Sequence, residues 1–206
     1  MSSATLMNMR ISRSFTPRLR LSPACPLYQI RGKATTPFRL PDPRNEPNPL
    51  YKRGSEERSK LEEALVKLRS QLPVQSSIYY NGQAQKSAQS WDQPLPAEHQ
   101  TTLTNYPLAT KEQTKAAIDA ALGAKQSWQD TPFVDRAAIF LKAAELVTGK
   151  YRYDLIAATM LGQGKNIWQG EIDAAAELAD FFRLNCNYAA EILERQPTRG
   201  SDGMWR

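Results

Sequence analysis

Three carboxylates, Asp173, Glu177 and Asp180, recur at spacings of four and three in the segment EIDAAAELADFF. On a regular α-helix this spacing brings them to one face, where their mutual repulsion is relieved by a nearby cation. The chemistry on offer is electrostatic: recognition of a positively charged substrate group such as an ammonium. A solvated acidic helix face has the same pattern, and spacing alone favours that plainer reading. Just upstream, Gly162-Gln163-Gly164-Lys165 resembles a phosphate-binding turn. It fails the P-loop pattern, because Thr159 stands where the first glycine is required and Asn166 replaces the Ser or Thr after the lysine. It fails the dinucleotide fingerprint too, since no third glycine follows in place and the segment follows a helical pattern, not a strand. The two glycines read as a helix stop and restart.

Other reactive residue types are sparse. His99 is the single histidine and lies in a Pro-rich polar stretch, which predicts a surface loop residue and not a catalytic base. Cys186 falls on the apolar stripe of a predicted helix, where a small buried hydrophobe is expected and not a nucleophile. The only other cysteine is Cys25, far upstream. One thiol in the body excludes an internal disulfide and a cysteine-based zinc site. Trp128, Trp168 and the Phe181-Phe182 pair occupy helical positions and read as packing residues.

The elements that must position these side chains follow from pattern and punctuation. Residues 34–54 hold five prolines, and PDPRNEPNP excludes a helix or an inner strand, so this stretch reads as an extended arm. Ser55 with Glu56 and Glu57 opens a helix whose Leu61, Leu65, Leu68 and Leu72 share a face and which Pro73 ends. Asn81-Gly82 between short runs predicts a hairpin, because both central positions of a type I′ turn need positive φ. The region 84–109 looks polar and irregular apart from a strand over Thr101–Tyr106. Thr110 and Gln113 form a capping box for an Ala-rich helix to about Trp128. Its face of Ala117, Ala120, Ala121 and Ala124 suits the close approach of another helix. Thr131-Pro132 starts the next helix, with Ala137, Phe140, Leu141, Ala144 and Val147 as the buried stripe and Gly149 as its cap. A further helix spans Tyr151–Leu161. A last, long one runs from Lys165 to Glu194 with Ile172, Ala175, Ala176, Ala179, Phe182, Cys186, Ala190 and Leu193 on one stripe.

The formal net charge of +6 is concentrated at the start of the chain. Residues 1–33 carry six of the 27 basic residues and no acid, leaving 21 basic against 21 acidic residues in the rest. The basicity therefore gives no support for nucleic-acid binding. An Arg-rich, Ser-containing, acid-free leader over 1–33 has the composition of a mitochondrial presequence. Met7, Ile11, Phe15 and Leu19 recur every four residues there, although Pro17 interrupts a single helix. No stretch approaches the ~20 apolar residues of a membrane-spanning helix. The expected organisation is a presequence over 1–33, a Pro-rich arm over 34–54, a domain over 55–197 and a loop-like tail over 198–206.

The segment FVDRAAIFLKAAELVTGKYRYDLIAATMLGQGKNIWQGEIDAAAELADFFRLN resembles the N-terminal part of the delta-1-pyrroline-5-carboxylate dehydrogenase family, within the aldehyde dehydrogenase superfamily. The likeness runs from Thr36 to Pro197 and is strongest from Pro132 to Asn185. The resemblance implies an α+β, mostly helical chain with an N-terminal β-hairpin, a partial aldehyde dehydrogenase-like α/β fold lacking the nucleotide-binding sheet. It implies oxidation of L-glutamate gamma-semialdehyde to glutamate with NAD in proline catabolism, in the mitochondrial matrix. A family cysteine attacks the aldehyde, hydride passes to NAD, and a glutamate-activated water releases the acid. Glu177 matches a family glutamate lining the substrate pocket, while for Asp173 and Asp180 the solvated face remains the expectation. The family's oxyanion asparagine, nucleotide-binding strands, catalytic glutamate and catalytic cysteine have no counterpart here, so no catalytic or NAD-binding residue is assigned. This polypeptide is expected to be a truncated form, inactive alone. Its expected partners are further copies or full-length subunits. A helical interaction module that associates with full-length subunits is the alternative function, and an independent all-helical matrix protein is a third.

Overall fold

The computed structural model describes residues 40–195. The basic leader and the 198–206 tail lie outside them, as does Cys25. The arm is described from Leu40 onward and runs without regular structure to Gly54. Helix α1 (Glu56–Ser70) opens on Ser55, whose hydroxyl accepts the Arg58 N–H, with acids in the first turn and Lys67 and Arg69 in the last. Both ends thus match the helix dipole. Its Leu61 and Ala64 are buried.

Five strands come next. β2 (Ile78–Tyr80) and β3 (Gln83–Gln85) form the antiparallel hairpin. Its turn has Asn81 at φ 51° and Gly82 at φ 71°, the two positive values that the Asn-Gly pair predicted. The region expected to be irregular apart from a strand over Thr101–Tyr106 carries two longer strands: β5 (Glu98–Pro107), which contains the expected one, and the unexpected β4 (Ser90–Leu95). With β1 (Val74–Gln75) they make a sheet of order β1-β5-β4, β1 running parallel to β5 and β4 antiparallel. β4 was not legible because it is an edge strand and mostly exposed, so it shows no apolar alternation. It also contains Pro94, tolerated where the register shifts around that residue. His99 accordingly sits at the exposed start of strand β5, not in a loop.

Helix α2 (Lys111–Asp130) has the full Thr110–Gln113 capping box but buries none of its residues. The narrow alanine face receives no helix among the described residues; Ala121 and Ala124 are exposed. α3 (Phe133–Thr148) buries Ala137, Ala144 and Val147, while Phe140 of the expected stripe is exposed. α4 (Arg152–Gln163) runs through Gly162 and ends at Gly164, whose φ of 66° is the left-handed cap. Only the second glycine is therefore punctuation. Gly162 stays helical and lies against β5, a Cβ there falling 3.4 Å from Leu103.

The last helix is not continuous. Asn166 and Gln169 form a second capping box and open a short α5 (Ile167–Gly170). A π-helical turn, Glu171–Ala176, comes after it, and then α6 (Glu177–Glu194). A π-turn holds an extra residue, which rotates the downstream helix by about 100° relative to an unbroken α-helix. The helix can thus serve two cores. Upstream, Ala175 joins Tyr51, Leu61, Ala64, Ile156 and Ala157 between α1 and α4. Downstream, Ala179 joins Ala144 and Val147 between α3 and α6, with Leu155, Leu178 and Phe182 around them. The predicted stripe fades towards the C-terminal end, where Leu193 is exposed. The architecture is α+β and mostly helical with an N-terminal hairpin.

Candidate functional site

The π-turn separates the three carboxylates into three environments. Asp173, inside the turn, accepts from Lys165 Nζ at 2.5 Å at the surface. Glu177, the first residue of α6, is exposed, and its carboxylate makes no hydrogen bond or ion pair with any described residue, its backbone N–H being bonded to the Ile172 carbonyl. Asp180 is largely buried and fully engaged. Its two oxygens accept from Asn45 Nδ2 at 3.1 Å and the Glu46 N–H at 2.8 Å, and Arg183 lies 3.6 Å away. The solvated-face expectation therefore fails for Asp180. What spacing could not show was the arm, which brings polar partners from more than 130 residues away.

Glu177 shares its helix face with Phe181, Leu184 and Tyr188, at spacings of four, three and four. Phe181 and Tyr188 are more than half exposed. A lone carboxylate at the head of an uncovered apolar and aromatic strip is unlike a typical solvated face, which is polar throughout.

Sequence reasoning missed the strongest polar constellation altogether. Glu171 is completely buried, and Arg152 nearly so. Arg152 pairs with Glu171 through Nη2 and Nε, donates through Nη1 to Glu46 at 2.7 Å and to the Thr148 carbonyl at 3.3 Å, and through Nη2 to the Pro47 carbonyl at 2.9 Å. The Tyr51 hydroxyl donates to Glu171 Oε2. Glu46 also accepts from Arg183 at 2.8 Å. Burial alone would lower the Arg152 pKa, but the bonds to Glu171 and Glu46 outweigh it and hold the guanidinium charged. Burial, reinforced by the bond to Glu171, pushes the Tyr51 phenol well above its ordinary value and keeps it protonated. The network is an anchor and not an acid–base site. Its only hint in sequence was Glu171 in a predicted helix next to buried alanines.

Cys186 is buried as expected, with its thiol 3.8 Å from the Ala137 carbonyl and its pKa raised by desolvation. A poorly ionised, enclosed thiol is the reverse of an activated nucleophile. It lines a cleft of about 380 Å³ between the end of α2, α3 and α6, with Trp128, Phe133, Arg136, Phe140 and Phe182. Trp128 and Phe140 meet edge-on at 6.5 Å, and Phe140 and Phe182 lie 5.9 Å apart. Trp128, Trp168 and Phe181, expected to be packing residues, are each more than 40% exposed. No cluster of three or more metal-ligating side chains occurs among the described residues, and none of their helices is long and apolar enough to cross a membrane.

A family model described as "Aldehyde dehydrogenase family" matches residues 83–204. The chain is 48% identical over 168 residues to delta-1-pyrroline-5-carboxylate dehydrogenase of Agaricus bisporus, covering 82% of this chain and 31% of that protein. It is 44% identical over 190 residues to the mitochondrial delta-1-pyrroline-5-carboxylate dehydrogenase of Emericella nidulans, covering 91% of this chain and 33% of that one. Among solved structures it is similar to the delta-pyrroline-5-carboxylate dehydrogenase of Mycobacterium tuberculosis bound with NAD. There the TM-score is 0.77 at 39% identity, over 81% of this chain and 31% of that one. The chain therefore spans about a third of the length of the relatives it matches.

Proposed function

Because this chain belongs to the aldehyde dehydrogenase family, we propose that it supplies the N-terminal part of an NAD-dependent dehydrogenase that oxidises L-glutamate gamma-semialdehyde to glutamate. In this reading Glu177 lines the substrate pocket and faces the ammonium group of the semialdehyde. The observation that carries the assignment is the 48% identity to a protein named for that chemistry, over 168 residues of this chain. The state of Glu177 agrees with it: an exposed carboxylate with no partner is available to a cationic ligand, whereas Asp173 and Asp180 are already engaged.

The described residues do not fit NAD. Their only parallel ladder is the two-residue pairing of β1 with β5, and no glycine-rich turn leads from a strand into a helix. No redox step is routed through them. Nor is Cys186 suited to attack an aldehyde, being enclosed and protonated. What these residues provide is one wall of a pocket. The chemistry belongs to parts of the fold that they do not include. Several relatives are named as mitochondrial proteins. With its basic, acid-free leader, this chain is assigned to the mitochondrial matrix.

The test is a chimera in which this chain replaces the 168 matched residues of the Agaricus bisporus enzyme. NADH formation from L-glutamate gamma-semialdehyde is expected from the folded chimera. A folded chimera that binds NAD yet leaves the semialdehyde untouched overturns the assignment.

A second reading is an interaction module that associates with full-length subunits. It draws on the exposed Ile118, Leu122, Trp128, Phe140, Phe181 and Ile192. Apolar surface on this scale marks an interaction face. Co-expression with a full-length relative and affinity capture decides it: recovery of both chains supports the module, and recovery of one removes it.

A further inference from the structure

The segment EIDAAA has no local reason to leave the α-helix, since alanine and glutamate are good α-helix formers. π-helical turns are rare and concentrate at functional sites. The register of Glu171–Ala176 must therefore be imposed by tertiary contacts: Lys165 holds Asp173, Arg152 of α4 holds Glu171, and the Pro-rich arm bonds to both Glu171 and Arg152. Tyr51 donates to Glu171, the first residue of the turn. Glu46 holds Arg152, the partner of Glu171, with one oxygen and Arg183 with the other. Asn45 and the Glu46 backbone hold Asp180. The arm thus grips the helix on both sides of Glu177, at Glu171 before it and at Asp180 and Arg183 after it.

The arm is itself strained to do so. Tyr51 has φ 52°, a left-handed conformation that costs a non-glycine residue about 1–2 kcal/mol. Such outliers persist where the surroundings over-determine them. Here the surroundings are a buried ring and a hydroxyl bonded to a fully buried carboxylate.

We propose that Asn45–Tyr51 is a positioning element for Glu177. It clamps the π-helical turn to the first turn of α6 and so fixes where the Glu177 carboxylate stands relative to α1 and α4. The proposal rests on the reading of Glu177 as the substrate-facing acid, but its test involves no substrate and so fails or succeeds separately.

The test is a spin-label distance measurement on the 206-residue chain. Cys25→Ser and Cys186→Ala clear the background, and Glu63→Cys and Glu177→Cys place nitroxides on exposed sites of α1 and α6. With the arm intact the distance distribution is narrow. Glu46→Ala broadens it about twofold or adds a second population, as expected when a local contact set is released. Glu46→Asp, which keeps the carboxylate, retains the narrow distribution. A purely structural arm would lower the melting temperature without moving the distance in the folded state. An unchanged distribution in folded Glu46→Ala overturns the proposal, as does equal broadening in Glu46→Asp. Should Glu46→Ala abolish the cooperative melt, Asp180→Asn, which keeps the shape and loses the charge, is read in the same way.

Discussion

Arg152 and Glu171 form a buried pair whose two members should be worth far less separately than together. The Arg152 side chain is 7% exposed and that of Glu171 0%. Replacing Arg152 by Met leaves the buried Glu171 carboxyl without a cation and with one remaining donor, the Tyr51 hydroxyl. Breaking such a pair from one side costs about 3–5 kcal/mol. For a domain of this size each kcal/mol lowers Tm by about 2–4 °C, so the melt should fall by about 6–20 °C. Glu171→Met should sit near the lower end of that range, because Arg152 keeps Glu46 and the Thr148 and Pro47 carbonyls. The double variant removes both charges and restores apolar volume. Glu46 keeps Arg183, and the orphaned Tyr51 hydroxyl costs about 1–3 kcal/mol. The expected double-variant loss of about 1–3 kcal/mol is thus well below the sum of the singles, about 6–8 kcal/mol. Urea unfolding monitored in parallel by far-UV circular dichroism and tryptophan fluorescence gives all four free energies. Additivity within about 0.5 kcal/mol would refute the mutual dependence of the two charges.

Three further outcomes are expected. The Tyr51 phenol is held protonated in the native state by burial and by Glu171. The unfolded phenol titrates near pH ~10, so unfolding releases a proton above that value and stability falls as pH rises past it. Tyr51→Phe should cost about 1–3 kcal/mol at pH 7 and, in urea midpoints from neutral to strongly alkaline pH, should remove that part of the alkaline loss. In a Cys25→Ser background, Cys186 should react with a disulfide reagent only as fast as the chain opens, because its thiol is enclosed and burial raises its pKa. Burst labelling of the native chain would contradict this. Gly170→Ala should destabilise by about 1–3 kcal/mol through overpacking, since the new Cβ would stand 3.0 Å from Ile156 Cγ2 and 3.4 Å from Met160 Cγ. A melt unchanged from the parent would show that α4 and α5 yield there.

The features legible in sequence were those governed by local chemistry. Ser55 and Thr110 announced helix starts, and Asn81-Gly82 announced the hairpin with both its positive φ angles. Cys186 on an apolar stripe proved buried. The failures share a cause. β4 is stabilised by pairing with β5 and not by an alternating pattern of its own. The π-turn in EIDAAA contradicts local propensity and depends on Arg152, Tyr51 and Glu46, which lie far away in the chain or on another helix. Asp180 looked like one of three equivalent surface acids until the arm supplied its partners. Trp168 and Phe181 were correctly placed on helices but are about half exposed, whereas Trp128 packs edge-on against Phe140. Helical periodicity identifies an apolar face without saying what covers it.

The central claim is that Glu177 faces the ammonium group of the substrate, and a specificity ratio tests it most directly. In the chimera with the Agaricus bisporus enzyme, kcat/KM is measured for L-glutamate gamma-semialdehyde and for the same five-carbon aldehyde acid lacking the ammonium group. Glu177→Gln should reduce the preference for the ammonium-bearing aldehyde about 10- to 100-fold, the loss of a charge-assisted bond of about 1.5–3 kcal/mol, with the other substrate little affected. An unchanged ratio would contradict the assignment and return Glu177 to an ordinary surface acid.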